Sequence, residues 1–429
     1  MKKIIQPLKG TRDFYPEVMA IRNWLYGTLR QISEAFGYQE YDGPFLESLQ
    51  LYEAKSGEEL VKEQSYVFPD RSGDLITLRP ELTPSLARMI AQRQGQLVFP
   101  LRWWSFGPFW RYERPQKGRT REFYQWNIDL IGVNSPEADA ELVAILAMFF
   151  REVGLSPKQV DILVSNRRLL NDELIKLRIP PELRGPVSNC IDRRNKMALE
   201  EWDAYVLDTG LNPELLDRLK EWLQNKESWL KFPDMVRFFD AIDALGIRDY
   251  VHFDPHIVRG LPYYTGTVFE AFEIAGDIRR SICGGGRYDD LMADVGGDPL
   301  PAVGFALGDV VITLLLEKYG CIPQGIGRSS ADVLVTVFDD ERMLTSTLLA
   351  SKLRQAGLKV ATFPEPAKLP KQFRYADRMG IKVAVVIGPD EVVNNQVTIK
   401  DLQTGIQQTV PQSGASQAIK QLLERDIPS

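Results

Sequence analysis

Apolar residues recur every three or four positions near the amino terminus, over residues 18–36. The members of this stripe share one face of a helical wheel: Ile21, Leu25, Leu29, Ile32 and Phe36. Because this spacing matches the period of an α-helix, it predicts a first helix. Gly37 follows directly, and glycine commonly ends a helix.

Two aromatic-rich runs, RWWSFGPFWRYE and FYQWNIDLIG, lie on either side of a short polar loop. Their β-forming composition predicts two paired strands joined by that loop. Residues 136–153 then form a strongly apolar stretch after Ser135, a residue that suits a helix N-cap. Residues 166–245 have helical patterns interrupted by prolines, which predicts an inserted helical module.

The pattern changes after residues 324–331, QGIGRSSA, which are rich in Gly and Ser and have the composition of a linker. Beyond this segment, strand-like apolar runs alternate with helix-like segments. That alternation predicts a small parallel or mixed α/β domain. The sequence therefore predicts a first domain over residues 1–325 and a second over residues 331–429.

The composition is that of a globular protein, since 44% of the 429 residues are hydrophobic and 26% are charged. This balance excludes a disordered or fibrous chain. The sequence has no apolar run of about 18 residues and no basic-then-apolar amino terminus. We therefore expect a cytoplasmic protein with no membrane partner.

The three cysteines, Cys190, Cys283 and Cys321, are far apart in the sequence. Their spacing argues against a disulfide framework and against a cysteine zinc site. Of the two histidines, His252 and His256, neither suits a metal-binding helix, because Pro255 between them prevents helical pairing. The residues alone favour structural roles for all five, and they assign no metal site.

The loop between the two aromatic-rich runs carries a cluster of basic residues. Guanidinium groups bind phosphate oxygens in a bidentate manner, so a polyphosphate is a suitable ligand for such a loop. A charged loop is also often a solvated surface, and the spacing leaves both interpretations open. The basic residues are Arg111, Arg114, Lys117, Arg119 and Arg121, separated by the turn formers Pro115 and Gly118.

Six segments combine charged, aromatic and glycine residues in unusual strings. They are KGTRDFYP (9–16), GYQEYDGPFLE around Pro44, TLRPELTPSLAR (77–88), RYERPQKGRTREFYQ (111–125), VRGLPYYTGTVFE (258–270), and GGGRYDDL followed by PAVGFALG. Together and in this order, they resemble the histidyl-tRNA synthetase family of class II aminoacyl-tRNA synthetases. The resemblance covers essentially the whole chain.

The resemblance implies an α+β fold in which the antiparallel sheet of a class II synthetase carries the catalytic site. The helical module at about 166–245 is then an insertion in this catalytic domain. Residues 331–429 are implied to form an α/β anticodon-binding domain. A homodimer is also implied, with an interface that involves the first helix and Pro44.

The implied reaction joins L-histidine to the histidine tRNA in two steps. The histidine carboxylate attacks the α-phosphorus of ATP and expels pyrophosphate, and the histidyl group then passes to the terminal ribose of the tRNA. ATP is therefore a substrate, and Mg²⁺ is expected to accompany it. The number and position of the metal ions stay unassigned.

The resemblance also assigns residues to the reacting phosphate. Arg111 is expected to hold the α-phosphate, and Arg259 is expected to approach it from the opposite side as a fixed cation. Together with Gln125, these arginines form the catalytic set. The ATP-binding set is Arg111, Glu113, Arg119 and Arg121, of which Glu113 and the two loop arginines are also implied to frame the acceptor end of the tRNA.

Histidine recognition requires groups for an ammonium and for two ring nitrogens. By position, Glu81, Thr83 and Gln125 are implied to receive the ammonium, and Asp129 and Tyr264 to meet the ring. Tyr263, Tyr288 and the glycines at 284–286 are implied to close the pocket, although packing in the core suits Tyr288 nearly as well. The histidine-binding set is Glu81, Thr83, Arg111, Gln125, Asp129, Arg259, Tyr263 and Tyr264.

Two positions depart from the family pattern. Pro262 stands where an acidic residue is usual. Val311 stands where the third class motif normally has an arginine, packed over adenine and near the terminal phosphate. One contact to ATP is therefore expected to be missing or to come from another residue.

Two other functions compete with ligation of histidine to tRNA. The first is a histidine-binding regulatory subunit of ATP phosphoribosyltransferase that catalyses nothing. Such paralogues usually lack the anticodon-binding domain and have a degraded histidine-specific segment, whereas this chain has both. The second is a non-catalytic RNA-binding module, which would not require Glu81, Gln125, Asp129 and Arg259 together.

Overall fold

The computed structural model of the chain describes residues 4–53, 61, 63–194, 197–261, 263–278, 280–327 and 329–424. Pro262, one of the two departures from the family pattern, lies outside these residues. The chain divides into two compact units. One comprises Met1–Asp13 and Trp24–Ile322, and the other comprises Phe14–Asn23 and Pro323–Ser429.

The larger unit contains most of the helices and strands. Up to the basic loop and its returning strand, the chain forms α1 (Pro16–Ala35), β1 (Gln39–Glu40), β2 (Leu46–Ser48), α2 (Leu49–Glu53), β3 (Tyr66–Pro69), β4 (Leu75–Leu78), α3 (Thr83–Arg93), β5 (Leu101–Trp110) and β6 (Glu122–Ile131). It continues with α4 (Pro136–Glu152), β7 (Val160–Asn166), α5 (Arg167–Lys176), α6 (Pro181–Asp192), α7 (Leu199–Leu207), α8 (Pro213–Gln224) and α9 (Pro233–Ala244). It ends with β8 (Val251–Phe253), β9 (Thr267–Glu273), β10 (Cys283–Arg287), α10 (Leu291–Asp294), β11 (Ala302–Gly308) and α11 (Asp309–Lys318).

An eight-stranded sheet in the order β1-β5-β6-β11-β10-β9-β7-β8 is the centre of this unit. Its inner pairs, from β5–β6 across to β9–β7, are antiparallel. The outermost pairs, β1–β5 and β7–β8, are parallel. Such a sheet beside separate helices confirms the α+β prediction.

The two faces of this sheet have different surroundings, as β6 shows. Trp126, Ile128 and Leu130 are at most 1% exposed and belong to the main hydrophobic core, which also contains much of α4. The side chains of Gln125 and Asp129 alternate with them and therefore lie on the opposite face. Since α4 covers one face, polar chemistry is confined to the other.

The helices α5 to α9 follow β7, and several of them share a hydrophobic core of their own. Trp202, Val206 and Leu219 are fully buried in that core. Val258 is buried there too. Val258 directly precedes Arg259. Packing of Val258 in this helical module therefore fixes the position of the backbone next to Arg259.

The elements of the smaller unit after the linker are β12 (Val333–Val335), α12 (Met343–Gln355), β13 (Val360–Thr362), α13 (Leu369–Met379), β14 (Val383–Val386), α14 (Pro389–Val393), β15 (Gln396–Asp401), β16 (Gln407–Pro411) and α15 (Ala415–Glu424). Its strands form a five-stranded mixed sheet in the order β13-β12-β14-β15-β16. The strands β13, β12 and β14 are parallel to one another, and β14, β15 and β16 are antiparallel. A mixed α/β sheet was one of the two arrangements that the sequence predicted.

A membrane-spanning helix was not expected from the sequence. Within the described ranges, none of the helices is both long enough and apolar enough to cross a bilayer.

Candidate active site

The basic loop is the tip of a hairpin formed by β5 and β6. The strands pair along their full length, from Leu101 opposite Ile131 to Trp110 opposite Glu122. Beyond the last pair, the Arg111 amide donates to the Arg121 carbonyl at 2.9 Å. Gly118 turns the tip with a φ of +78°, a conformation that few residues other than glycine adopt.

The loop residues assigned to ATP are ordered by one another. Glu113 is 7% exposed and forms a salt bridge with Arg119. The Arg121 guanidinium lies 4.1 Å from the centre of the Tyr112 ring, and its Nε donates to the Glu113 carbonyl at 3.2 Å. Arg119 and Arg121 are thus held on Glu113 and Tyr112, which gives the tip a defined shape.

Gly10, in the KGTRDFYP segment, fixes this tip from outside. Its carbonyl accepts a hydrogen bond from the Arg121 amide at 2.7 Å. A Cβ atom at Gly10 would lie 2.8 Å from Cγ of Arg121, and the glycine has a φ of +89°. The segment therefore packs on the stem of Arg121 at a position where a side chain does not fit.

Arg111 joins the hairpin to the segment that carries Glu81. Its Nε donates to the Pro80 carbonyl at 2.9 Å, and its guanidinium lies 5.3 Å from the centre of the Phe123 ring. Pro80 directly precedes Glu81, which is 7% exposed. Arg111, assigned to the α-phosphate, is therefore hydrogen-bonded to the residue that precedes Glu81, which is assigned to the histidine ammonium. Thr83, half-buried, is the first residue of α3.

The tyrosines of the VRGLPYY segment form the next wall. The Tyr263 hydroxyl donates to Oε2 of Glu81 at 3.4 Å. Its ring lies 4.8 Å from the ring of Tyr264 and 6.1 Å from that of Tyr288, centre to centre. Burial raises the pKa of Tyr263 and Tyr264, so both hydroxyls keep their protons at neutral pH.

Asp129 lies opposite Gly304 of β11 and is 5% exposed. A Cβ atom at Gly304 would lie 2.1 Å from Oδ1 of Asp129, so the carboxylate occupies space that only glycine leaves open. The Tyr288 hydroxyl donates to the same Oδ1. Burial raises the pKa of Asp129 to about 7, and the hydrogen bond from Tyr288 partly opposes this shift.

Tyr288 was expected either to close the pocket or to pack in the core. It is 2% exposed within a hydrophobic cluster that includes Leu86, Ile90 and Leu291. Its hydroxyl nevertheless bonds to Asp129. It therefore packs in the core and orients a pocket carboxylate at the same time.

Arg259 lies over the glycine-rich strand β10. Its Nη1 would be 1.3 Å from a Cβ atom at Gly284, and it donates to Oε1 of Glu270 at 3.0 Å. Its guanidinium is 5.5 Å from the centre of the Tyr264 ring. Burial alone would lower the pKa of Arg259, but Tyr264 and Glu270 raise it, so this arginine stays a cation.

The backbone of Arg259 is also unusual, with a φ of +57°. A residue with a side chain rarely adopts this conformation, and it costs about 1–3 kcal/mol. Two neighbours hold it in place. Val258 is buried in the core of the helical module, and the Leu261 carbonyl accepts a hydrogen bond from Nη1 of Arg167 at 2.8 Å.

The structure thus brings six of the predicted residues into one chain of contacts. Hydrogen bonds and ring contacts connect Glu81, Tyr263, Tyr264, Arg259, Tyr288 and Asp129. Gln125 lies on the same face of β6 as Asp129 and pairs across the sheet with Gly107 and Gly308. Glu113, Arg119 and Arg121 form a second group at the hairpin tip, and Arg111 lies between the two groups.

Sequence reasoning did not assign a role to Arg79, which is fully buried. Its Nη1 donates to Asp42 at 2.5 Å and its Nε to the Pro108 carbonyl at 3.0 Å. Arg79 therefore holds the segment before Glu81 against β5. A single charged residue next to a proline does not belong to any helical or strand periodicity. The sequence therefore did not predict that Arg79 is buried, although Arg79 lies within the TLRPELTP motif.

Asp309 is a second residue whose role was not predicted. It is 4% exposed at the start of α11. Its Oδ1 accepts from the Tyr124 amide at 2.8 Å, and its Oδ2 accepts from Arg12 at 2.8 Å. Asp309 therefore connects α11 to β6 at the residue before Gln125.

No metal site was assigned from the sequence. Among the residues that the structure describes, no group of three or more His, Cys, Asp or Glu side chains could hold a metal ion. His252 and His256 each contact one carboxylate, Asp161 at 2.7 Å and Asp254 at 2.8 Å. Each histidine thus has a carboxylate partner, and the structural role of both stays a prediction.

Comparison with protein families gives two matches. Residues 10–309 match the model of histidyl-tRNA synthetase, and residues 332–422 match that of an anticodon-binding domain. The chain is 38% identical to the chloroplastic/mitochondrial histidine–tRNA ligase of Arabidopsis thaliana, over 95% of this chain and 85% of that protein. It is 36% identical to the histidine–tRNA ligase of Leptospira biflexa, over 97% of this chain and 98% of that protein.

Solved structures give the same result. The crystal structure of histidyl-tRNA synthetase from Nostoc sp. PCC 7120 has a TM-score of 0.82 at 28% identity, covering 98% of this chain and 100% of that one. A Bacillus halodurans structure described as an ATP phosphoribosyltransferase regulatory subunit/histidyl-tRNA synthetase has a TM-score of 0.68 at 21% identity, covering 87% of this chain and 97% of that one. That second likeness shows the fold alone. The family model covers more than half of the chain, and the chain therefore belongs to the histidyl-tRNA synthetase family.

Proposed function

We propose that this chain ligates L-histidine to its cognate tRNA, using ATP and a histidyl-adenylate intermediate. The observation that carries this proposal is Arg259, a cation held over Gly284 in a costly backbone conformation beside the tyrosines of the pocket. A fixed cation of this kind stabilises negative charge that increases during a reaction, and a non-catalytic subunit carries out no such reaction. The matched anticodon-binding region also favours the ligase over the regulatory subunit.

In the first step, a carboxylate oxygen of histidine attacks the α-phosphorus of ATP. A bond forms between that oxygen and phosphorus, the bond to the bridging oxygen breaks, and pyrophosphate leaves. Negative charge increases on the α-phosphate oxygens during this exchange. Arg111 and Arg259, from the hairpin and from the VRGLPYY segment, stabilise that charge as fixed donors, and Gln125 positions the reacting carboxylate.

Histidine is bound by the polar groups around the tyrosine wall. Glu81, Thr83 and Gln125 receive its ammonium, and Asp129 and Tyr264 meet its ring nitrogens. Because these groups are buried, an amino acid that leaves them without hydrogen bonds is rejected strongly. The hydrogen bond from Tyr288 orients Asp129 for this role.

The hairpin tip binds ATP through Arg111, Glu113, Arg119 and Arg121. Glu113, the buried carboxylate of the tip, is an oxygen ligand of the kind that Mg²⁺ binds, and together with the triphosphate it would hold the ion. Bound Mg²⁺ would neutralise part of the phosphate charge. The protein residues orient the triphosphate for in-line displacement.

In the second step, a hydroxyl of the terminal tRNA ribose attacks the histidyl carbonyl, the hydroxyl proton is released and AMP leaves. Residues 331–429 bind the anticodon region, and residues 1–325 bind the acceptor end through the hairpin tip. We further propose a cytoplasmic homodimer whose interface involves α1 and Pro44.

Exchange of labelled pyrophosphate into ATP tests the first step directly. The purified chain should catalyse this exchange when histidine is present and not when it is absent. A protein that binds histidine without any exchange would instead be the regulatory subunit.

The pKa of Asp129 predicts how histidine binding depends on pH. As the pH falls through about 7, Asp129 gains a proton and no longer offers a charged acceptor. The KM for histidine should therefore rise by about tenfold between pH 8 and pH 6. Steady-state exchange across this range measures it.

The imidazole of free histidine also titrates near pH 6.5, so a matched variant is needed. Asp129→Asn keeps the shape of the side chain and does not titrate. The KM of this variant for histidine should be high at every pH from 6 to 8 and should change only with the titration of histidine itself. The difference in KM between the variant and the wild type should therefore shrink as the pH falls. Parallel profiles for the two proteins would contradict the assignment of Asp129.

Removal of residues 331–429 should separate the two steps. Pyrophosphate exchange should stay within about twofold of the full chain, while tRNA charging at limiting tRNA should fall about 100-fold, because a linked binding surface is lost. All eight tryptophans lie within residues 24–322, so their emission reports whether the remaining unit is folded. Loss of exchange in a folded truncation would refute this division of labour.

A further inference from the structure

Val311, which stands where the family motif has an arginine, lies beside the hairpin tip. Val311 is 7% exposed and belongs to the main hydrophobic core. A Cβ atom at Gly118 would lie 3.6 Å from Cγ2 of Val311 and 3.3 Å from Cδ of Arg280. Gly118, Val311 and Arg280 therefore meet at one point, and the cation there comes from Arg280.

Arg280 lies on the connection between β9 and β10 and is half-buried. Within the residues that the structure describes, it forms no salt bridge and no hydrogen bond. Burial lowers its pKa, as does the charge of nearby Arg119, whereas Glu113 raises it. Arg280 is thus a half-buried cation next to the residues assigned to ATP.

Three other arginines around the tip already have partners, while Arg114 is exposed at the surface. Arg12 pairs with Asp309, Arg119 pairs with Glu113, and Arg121 lies over Tyr112. Because Glu113 is paired with Arg119, it leaves the charge of Arg280 largely uncompensated. Two neighbouring guanidinium groups with one carboxylate form a site that favours an additional anion.

We propose that Arg280 binds the terminal phosphates of ATP and supplies the cation that the family normally takes from the position of Val311. This inference rests on the proposed function, since it assigns a further residue to the same ATP site. The Arg280 side chain reaches the tip from the connection before β10 instead of from α11. Arg259 lies over Gly284 of β10, so this connection and the first residues of β10 lie beside the two arginines that we propose contact the triphosphate.

Arg280→Gln tests this role through a comparison of nucleotides. Loss of a charge-assisted phosphate contact should weaken ATP binding by roughly 10- to 100-fold and leave AMP binding within about twofold. Titration calorimetry with ATP and with AMP measures both affinities. In the exchange assay, the KM for ATP should rise while that for histidine stays unchanged. Arg237→Gln, an exposed arginine on α9 paired with Glu137, controls for the loss of one positive charge.

A rescue variant distinguishes phosphate binding from a structural role. Arginine placed at the family's usual position, in the double variant Arg280→Gln with Val311→Arg, should restore at least about tenfold of the lost ATP affinity. Equal weakening of ATP and AMP in Arg280→Gln, or an unchanged affinity for ATP, would overturn the proposal. If the wild type showed no histidine-dependent exchange, the proposed function would fail, but the ratio of ATP to AMP affinity would still decide the role of Arg280.

Discussion

Arg259→Ala is expected to lower the rate of histidine-dependent pyrophosphate exchange by about 100- to 1,000-fold, the usual cost of removing a fixed donor to a developing charge. The guanidinium has no substitute at its position, because it fills the space over Gly284 and is aligned by Glu270 and Tyr264. Since the charge it stabilises develops in the transition state, kcat should fall more than KM rises.

Gly284→Ala gives an independent test with Arg259 intact. The added methyl group would lie 1.3 Å from the present position of Nη1, so the guanidinium must move and exchange should again fall by at least about tenfold. Gly185→Ala, where an added Cβ atom has no neighbour within 4 Å, is the matched control and should be active. An Arg259→Ala enzyme that kept most of its exchange activity would remove this arginine from the catalytic set.

Asp139→Ala is expected to destabilise the larger unit by about 3–5 kcal/mol, because it leaves a buried guanidinium without its main partner. Arg287, at the end of the glycine-rich strand β10, and Asp139, in the first turn of α4, are each 3% exposed. Nη2 and Nε of Arg287 donate to Oδ1 of Asp139 at 2.6 Å and 3.0 Å. The pair connects β10, which carries Gly284, to α4, the helix that covers the other face of the sheet.

Urea unfolding followed by tryptophan emission measures this effect, since every tryptophan lies within residues 24–322. Glu137→Ala is the control, because Glu137 lies in the same turn of α4 and pairs with Arg237 at the surface, where the two side chains are 47% and 55% exposed. Loss of that exposed pair should cost at most about 1 kcal/mol. Similar shifts for the two variants would mean that the Arg287–Asp139 pair is not a principal support of the fold.

Elements with a regular local pattern were predictable from the sequence. The apolar period of residues 18–36 corresponds to α1, whose buried residues include Leu25, Leu29 and Ile32. The turn formers Pro115 and Gly118 marked the hairpin tip between β5 and β6. Each of these features depends on residues close together in the chain, so the local sequence contains the information.

The contacts that shape the site join distant parts of the chain, and no local pattern encodes them. Arg12 contacts Asp309, and Tyr288 contacts Asp129. Arg121 was expected to frame ATP, and the structure adds that its stem packs on Gly10 and its guanidinium on Tyr112. Family motifs predicted which residues belong to the pocket, but the partners that orient them follow from the strand register of the sheet.

The glycines of β10 and β11 have a consequence for engineering the amino-acid specificity of the proposed histidine pocket. At Gly284 and Gly304, the space beside the backbone is filled by Arg259 and Asp129, so these positions cannot be made smaller and any larger residue displaces a functional group. In the proposed histidine pocket, we therefore expect bulkier histidine analogues to be admitted by trimming the aromatic wall at Tyr263 and Tyr264. A selection for altered substrates should vary those two positions and leave the glycines unchanged.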